Sequence, residues 1–330
     1  MKGTLKTFTR RNDKKLTIRN FKSIKSLELE CRRINIFIGE PNTGKSNILE
    51  AIGFLSYLGH GGSLQEFIRF ETLPNIFFNM ALENEIEIKF AEKPITVAFR
   101  SGKFIGGIPN QAPIFKSDYY GSAELTAQDW LKIFKFYRFR SLKSYTDRPS
   151  EFLLPPSGSN LLALMLTNPR IRSTIKDLLS RFGWKLVVKP HEEKLEFQRE
   201  LDGVVISLPY FTLSDTLQRL IFHLSAILSN RNSVIVFEEP EAHAFPYYTR
   251  YLAELIASDR NQNQYFISTH NPYFLLSIIE KSSMEDVSVL ITYLQDGETQ
   301  VKQFAGKALG KLLEYDVDVF LNINSLIEEE

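Results

Sequence analysis

Two glycines, a lysine and a serine raise the first chemical question, because Gly39, Gly44, Lys45 and Ser46 fit the spacing GxxxxGKS. Glycines at these places let the backbone curl so that successive N–H groups point inward at phosphate oxygens. Lys45 then supplies a point charge for β- and γ-phosphates, and the Ser46 hydroxyl is a ligand for Mg²⁺. Glu40, Pro41, Asn42 and Thr43 complete the loop, and Asn47 follows in the first turn of a helix whose positive end faces the anion. Two acids and a histidine form the second candidate group. Glu238 follows the apolar run 234–237, where a carboxylate can hold Mg²⁺ or its water. Glu239, the next residue, can polarise a water for in-line attack on the γ-phosphate. Ser268, Thr269 and His270 close another apolar run, and of the five histidines only His270 stands in such a position.

The elements that must position these groups follow from periodicity. Ile34, Ile36, Phe37 and Ile38 make a short apolar run of β type before the loop, and residues 47–58 have helical spacing after it. The run 234–237 is continuous, as a strand buried on both faces of a parallel sheet requires, and 265–267 repeats the design. Ligand groups collect at the carboxyl ends of such strands, which would bring His270 within reach of the γ-phosphate. Residues 211–227 open with Ser214 and Asp215 as a helix cap and continue with helical spacing at Leu217, Leu220, Ile221, Leu224 and Ile227. Residues 16–30 alternate like two short strands joined at 20–23, and 85–90 and 95–99 read as antiparallel strands with Gly106, Gly107 and Pro109 as turns. Helical and mixed material runs from 123 to 181, and strand patterns return at 185–190, 195–199 and 204–208. After His270, 60 residues remain, reading as two strands (287–294 and 299–304) and a closing helix or two.

Length and charge set outer bounds. With 330 residues the chain can bury a large core, as one big domain or two medium ones. Lys+Arg of 40 against Asp+Glu of 39 leave a net charge of +1, so any nucleic-acid contact has to come from a local patch. The segment 132–143 is the candidate. There Lys135, Arg138, Arg140 and Lys143 interleave with Phe134, Phe136, Tyr137 and Phe139, as on a single-strand-binding surface. The alternative is a strand or helix edge with its aromatics in the core and its cations solvated. Residues 1–15, polar and basic, read as a loose arm. The single cysteine, Cys31, excludes an internal disulfide, suits a reducing compartment, and reads as a small half-buried residue beside a strand. No apolar segment is long enough for a signal peptide or a membrane span, so a soluble cytoplasmic protein without a membrane partner is expected.

As an ordered set, the loop, LSDTLQR at 213–219, the apolar strand with EEPE, and STHNP at 268–272 resemble the ABC-type ATPases of the RecF/SMC and OLD (overcoming lysogenisation defect) group. NFKSI at 20–24 and GEPNTGKSNILEAI at 39–52 are similar to that group's opening, and PPSGSNLLALML at 155–166 resembles a segment of its inserted lid. The resemblance covers nearly the whole chain. It implies a stand-alone α/β P-loop NTPase of the ABC-type head fold, with an antiparallel β subdomain and an inserted helical and mixed lid. The implied divisions are 1–115 for the N-terminal lobe with the loop and antiparallel subdomain, 116–210 for the lid, and 211–330 for the C-terminal lobe with the signature, acidic strand and switch histidine. ATP and Mg²⁺ are the implied ligands, with slow hydrolysis at two composite sites in a head-to-tail homodimer. Ser214 would touch the γ-phosphate of the partner's ATP. Lys45 and Ser46 would act in their own subunit with Glu238 on Mg²⁺, Glu239 as general base and His270 as γ-phosphate sensor.

Some residues depart from the pattern. Thr216 stands where the group's signature generally has glycine, Glu238 where most P-loop ATPases have aspartate, and Ala244-Phe245-Pro246 where relatives often have leucine, histidine and proline. The glutamine that usually bridges core and lid has Gln111 and Gln128 as candidates. About 170 residues separate Ser46 from Leu213 without long heptads, so SMC arms are not expected, and the stretch after His270 leaves no room for the nuclease domain of OLD proteins. Three readings follow. ATP-driven dimer closure can be coupled to DNA or to a separately encoded effector in repair, chromosome maintenance or phage defence. A nucleotide-gated scaffold with negligible turnover is the reading that Thr216 suggests. DNA binding through 132–143 and the N-terminal arm is the third, marked by a steep salt dependence.

Overall fold

The apolar run ahead of the loop becomes an interior strand of a mostly parallel sheet. The computed structural model describes residues 14–145 and 150–328. In chain order, β1 (Lys14–Phe21), β2 (Ile24–Cys31) and β3 (Ile34–Gly39) precede α1 (Lys45–His60) and the short α2 (Leu64–Phe67). There follow β4 (Ile86–Phe90), β5 (Lys93–Arg100), β6 (Lys103–Gly107), β7 (Phe115–Ser117), β8 (Ala123–Leu125) and β9 (Phe134–Tyr137). An inserted segment holds α3 (Leu161–Thr167), α4 (Pro169–Ser180), β10 (Lys185–Lys189), β11 (Lys194–Leu201) and β12 (Val204–Pro209). The chain then returns through α5 (Asp215–Ser229), β13 (Val234–Glu238), α6 (Pro246–Ala257), β14 (Gln264–Ser268) and α7 (Pro272–Lys281). It closes with β15 (Val287–Gln295), β16 (Glu298–Ala305), α8 (Leu309–Tyr315) and α9 (Ile323–Glu328).

The six-stranded sheet has the order β16-β15-β3-β14-β13-β9. All its pairings are parallel except β15 with β16. Every residue of β3 and β14 is buried, as an apolar run covered on both faces requires. Ile34, Ile36 and Ile38 pack with Phe237, Ile267 and the apolar faces of α5, α6 and α7. Phe37 faces the other way, into a core shared with Val236, Phe266 and α1. A buried asparagine in β3 costs nothing here, because Asn35 accepts from Arg32 N–H at 2.8 Å and donates to Arg32 O at 2.8 Å and Tyr265 O at 3.0 Å.

On the far side of α1 lies a seven-stranded antiparallel sheet, β2-β1-β4-β5-β6-β7-β8. Its inward residues Leu16, Ile18, Ile86, Ile88, Ile95 and Val97 join the α1 core. That explains why α1 is apolar nearly all round: it is a helix between two sheets, with Ile48, Leu49, Ile52, Phe54 and Leu55 all buried. The third sheet, β10-β11-β12, belongs to the inserted segment.

The insertion starts later than residue 116. β7 and β8 complete the antiparallel sheet and β9 pairs in parallel with β13, so the chain leaves the core only after Tyr137. These strands are three or four residues long and too brief for a period to register. The loose arm expected over 1–15 lies outside the described residues as far as 13, while Lys14 and Lys15 belong to β1. Cys31 ends β2 and is fully rather than half buried.

Of the two readings of 132–143, the strand edge with its aromatics in the core is the one that the fold bears out. Phe134, Phe136 and Tyr137 are core side chains of β9. Lys135 is buried as well, its ammonium 3.1 Å from the centroid of the Phe152 ring, and burial pulls its pKa down to about 7. Lys132 pairs with Asp129 at 2.7 Å, Arg140 with Glu66 at 3.2 Å, and Arg138 with two further carboxylates described below.

Phe266 stacks on Phe37 at 6.4 Å and meets Phe90 edge-on at 6.1 Å, tying β14 to the antiparallel sheet. Phe266→Ala is expected to lower the unfolding free energy by about 3–5 kcal/mol in a urea titration. A loss below about 1 kcal/mol would mean that the two sheets do not share one core.

Candidate nucleotide site

Strand register brings the chemistry together. Glu238 is level with Ser268, and Ser268 with Phe37, so β13, β14 and β3 end side by side. Beyond those ends stand Glu239, His270 and the loop 39–46. Lys45 is almost fully buried, and its Nζ donates to the carbonyl oxygens of Gly39 and Glu40, each at 2.8 Å. Burial lowers its pKa and the charge of Glu239 raises it in partial compensation. His270 Nε2 lies 3.5 Å from Glu239 Oε1. Burial, then the Lys45 charge, lower the His270 pKa, with Glu239 opposing, so the imidazole is neutral near pH 7. Lys45 and His270 therefore both feel the charge of Glu239 at the ends of three adjacent strands.

The loop glycines answer to a neighbour as well as to phosphate. Gly39 and Gly44 have φ of +145° and +99°. A Cβ on Gly39 would lie 2.3 Å from Thr292 O, and one on Gly44 would lie 2.1 Å from Thr299 Oγ1. The β15–β16 hairpin thus presses on the loop. Thr43 Oγ1 donates to Glu40 O at 2.8 Å and lies 2.7 Å from Thr292 Oγ1. The Asn47 amide is committed to Ser23 Oγ at 2.7 Å, and that hydroxyl in turn is 2.7 Å from Thr299 Oγ1. Asn47 can therefore offer a nucleotide its backbone but not its side chain.

Glu238 meets cations first. Its Oε1 is 3.1 Å from Arg69 Nη2 and its Oε2 is 3.4 Å from Arg138 Nη2. Both arginines also hold Glu50, at 2.7 and 3.2 Å. Glu50 lies one turn beyond Ser46 on α1, is wholly buried, and forms a third, short ion pair with Lys22. Three cations and two anions from five segments so surround the face of α1 that carries Ser46. Among the described residues no three His, Cys, Asp or Glu side chains could enclose a metal. A serine and a carboxylate beside a phosphate loop suit a magnesium ion that keeps waters and arrives on phosphates, rather than a resident one.

Two family models match the sequence, "AAA ATPase domain" over residues 14–143 and "AAA domain, putative AbiEii toxin, Type IV TA system" over 196–277. The chain is similar to an SMC head solved with the C-terminal winged-helix domain of ScpA, with a TM-score of 0.53, 14% identity, and coverage of 90% of this chain and 98% of that one. It is also similar to an SMC head with an extended coiled coil, solved with a ScpA C-terminal domain derived from Pyrococcus furiosus (TM-score 0.51, 14% identity, 91% and 98% coverage). No curated protein sequence matches. Those two matches, over separate parts of the chain, and the SMC-head likeness of its fold support an ABC-type, RecF/SMC-like P-loop ATPase.

The signature expected at 213–219 is placed by the start of α5. Ser214 caps that helix, its hydroxyl accepting from Leu217 N–H at 3.4 Å, and shares no hydrogen bond with Lys45, Glu239 or His270. Neither glutamine expected to join core and lid is at the site. Gln128 donates from its backbone to Leu58 O near the far end of α1, and Gln111 is exposed between β6 and β7. Gln218, buried on α5, instead links that helix to the exit from β9. It accepts from Ser141 Oγ at 2.6 Å, just past the exit from β9, and donates to Leu213 O at 2.7 Å. On the sequence it looked like one polar position of an amphipathic helix. Arg69, Arg138 and Glu50 were missed for a similar reason, since nothing local marks a charge whose partners lie far along the chain.

Glu241 is a further missed acid. It is buried beneath the Glu239 turn and accepts a short hydrogen bond from Thr269 Oγ1, while its Oε2 has no hydrogen-bond partner. Burial pushes its carboxyl up to about 7 from the ordinary 4.5. A carboxyl whose folded pKa is raised stabilises the fold fully below about 4.5, and that contribution vanishes as pH rises through about 7. At ~1.4 kcal/mol per pH unit, Glu241→Gln should gain on wild type by about 2–3 kcal/mol in unfolding free energy between pH 5 and pH 8. A difference that stays constant across that range would show that the carboxyl titrates normally.

Proposed function

We propose that this protein binds Mg·ATP in the loop 39–46, hydrolyses it slowly, and uses the bound nucleotide to close a head-to-tail homodimer. The observation that carries the reading is the convergence of Lys45, Glu239 and His270 at the ends of three neighbouring strands. Lys45, withdrawn from water and held only by neutral carbonyls, is the charge for β- and γ-phosphates. Glu239, about half exposed, takes the proton of the attacking water. His270, neutral near pH 7, donates a hydrogen bond to the γ-phosphate. Magnesium arriving with the nucleotide would neutralise phosphate charge, with Ser46 and Glu238 to hold it, directly or through water. Ser214 acts on the partner's ATP, consistent with its lack of contact with its own subunit's Lys45, Glu239 and His270.

The output of closure is assigned to a separately encoded effector protein in preference to DNA, because Lys132, Lys135, Arg138 and Arg140 are each buried or paired with a carboxylate, which leaves Lys143 exposed beside Phe211. That two SMC heads of like fold were solved with ScpA domains supports a protein partner. Among the described residues no helix is long and apolar enough to cross a membrane, which supports a cytoplasmic setting.

Light scattering on Glu239→Gln, with and without Mg·ATP, tests the reading. The variant is expected to double its mass with ATP while wild type does so weakly or transiently, and Lys45→Ala is expected to bind no ATP. A Glu239→Gln protein that binds ATP and keeps one mass removes the closure step. A Lys45→Ala protein that binds ATP normally removes the nucleotide site itself.

A further inference from the structure

The turn after β13, residues 239–245, carries Glu239 and is strained. Glu239 and His243 both occupy the left-handed region, with φ of +46° and +61°. Each is a side-chain-bearing residue in a conformation that costs of order 1 kcal/mol and persists only where its surroundings impose it. The turn is pinned from three sides. Within it, Ala242 N–H donates to Glu239 O and Ala244 N–H to Glu241 O, each at 3.0 Å, and Glu239 N–H donates to Ser268 O at 3.0 Å. From below, Thr269 Oγ1 donates to the Glu241 carboxylate and accepts from Asn271 N–H at 3.0 Å, fastening the turn to the strand end that bears His270. From the side, Thr216 Oγ1 donates to His243 O at 2.6 Å. Thr216 lies in the first turn of α5, two residues after Ser214.

We propose that Thr216 is a positioning residue that locks the Glu239 turn to the start of α5, so that Ser214 and Glu239 of one protomer move as a unit. The proposal rests on the reading of Glu239 as the general base and of Ser214 as a group acting on the partner's nucleotide. It gives the hydroxyl a definite task. A protomer whose Ser214 is drawn onto the partner's phosphate shifts α5, and the shift reaches the protomer's own Glu239 through one short hydrogen bond. Each of the two sites then registers the occupancy of the other.

Thr216→Val removes the hydroxyl while keeping the shape, and Thr216→Ser keeps it. In the full chain, free of nucleotide, amide exchange over 239–245 is expected to quicken about five- to tenfold in Thr216→Val, the scale of one lost hydrogen bond, and to stay at the wild-type rate in Thr216→Ser. With Mg·ATP, phosphate release should fall by a similar factor in Thr216→Val, with binding of a fluorescent ATP analogue changed less than about twofold and activity restored in Thr216→Ser. Wild-type exchange in Thr216→Val overturns the lock. So does faster exchange with unchanged turnover, provided that Glu239→Gln abolishes phosphate release. Should Glu239→Gln leave release intact, the general-base reading falls instead, and the exchange rates alone decide whether Thr216 holds the turn.

Discussion

An ammonium group removed from water must be met by oxygen, and at Lys45 the oxygens are two backbone carbonyls of its own loop. Neutral carbonyls orient the charge without cancelling it. That arrangement requires a loop tight enough to turn Gly39 O and Glu40 O toward the residue that follows Gly44, and much of the surrounding structure serves to keep it tight. The Ser23 turn holds Asn47, Thr299 closes on Gly44, and Thr292 closes on Gly39 and Thr43. The site is thus a product of three distant segments converging on residues 39–47, with the strand–loop–helix motif as the part they converge on.

The Glu50 network has a comparable role for electrostatics. A carboxylate buried without cations would neutralise itself or destabilise the fold, and Glu50 avoids this by drawing in Lys22, Arg69 and Arg138. Both arginines reach Glu238 at the same time. The antiparallel lobe, the first helix, the exit to the inserted segment and the acidic strand are therefore joined through charge at one place beside the loop. Any ion that approaches Glu238 enters a field already shaped by two guanidinium groups.

Much of the core was legible in the sequence because burial on both faces allows little choice. The runs at 34–38, 234–237 and 265–267 are strands β3, β13 and β14, and the carboxyl-end rule puts Glu239 and His270 at one end of the sheet. The boundary of the insertion was not legible, since β7, β8 and β9 are too short to show a period and β9 carries a lysine in its middle. That lysine also explains why 132–143 allowed two readings. Cations among aromatics look the same on paper whether they face solvent or, like Lys135, lie under a phenylalanine ring. Gln218, Glu50 and the two arginines were invisible because their meaning depends on partners tens to hundreds of residues away.

The order of the core strands also has a consequence for synthesis. β3 emerges early, but its two neighbours are β14 and β15, and the Thr43–Thr292 and Ser23–Thr299 contacts span 249 and 276 residues. A nascent chain that has exposed the whole glycine loop still lacks both flanking strands and the hairpin that presses on it. Until residues 264–299 have emerged from the ribosome, residues 34–39 are an apolar strand with two open edges, the kind of surface that chaperones hold and that aggregates when they do not.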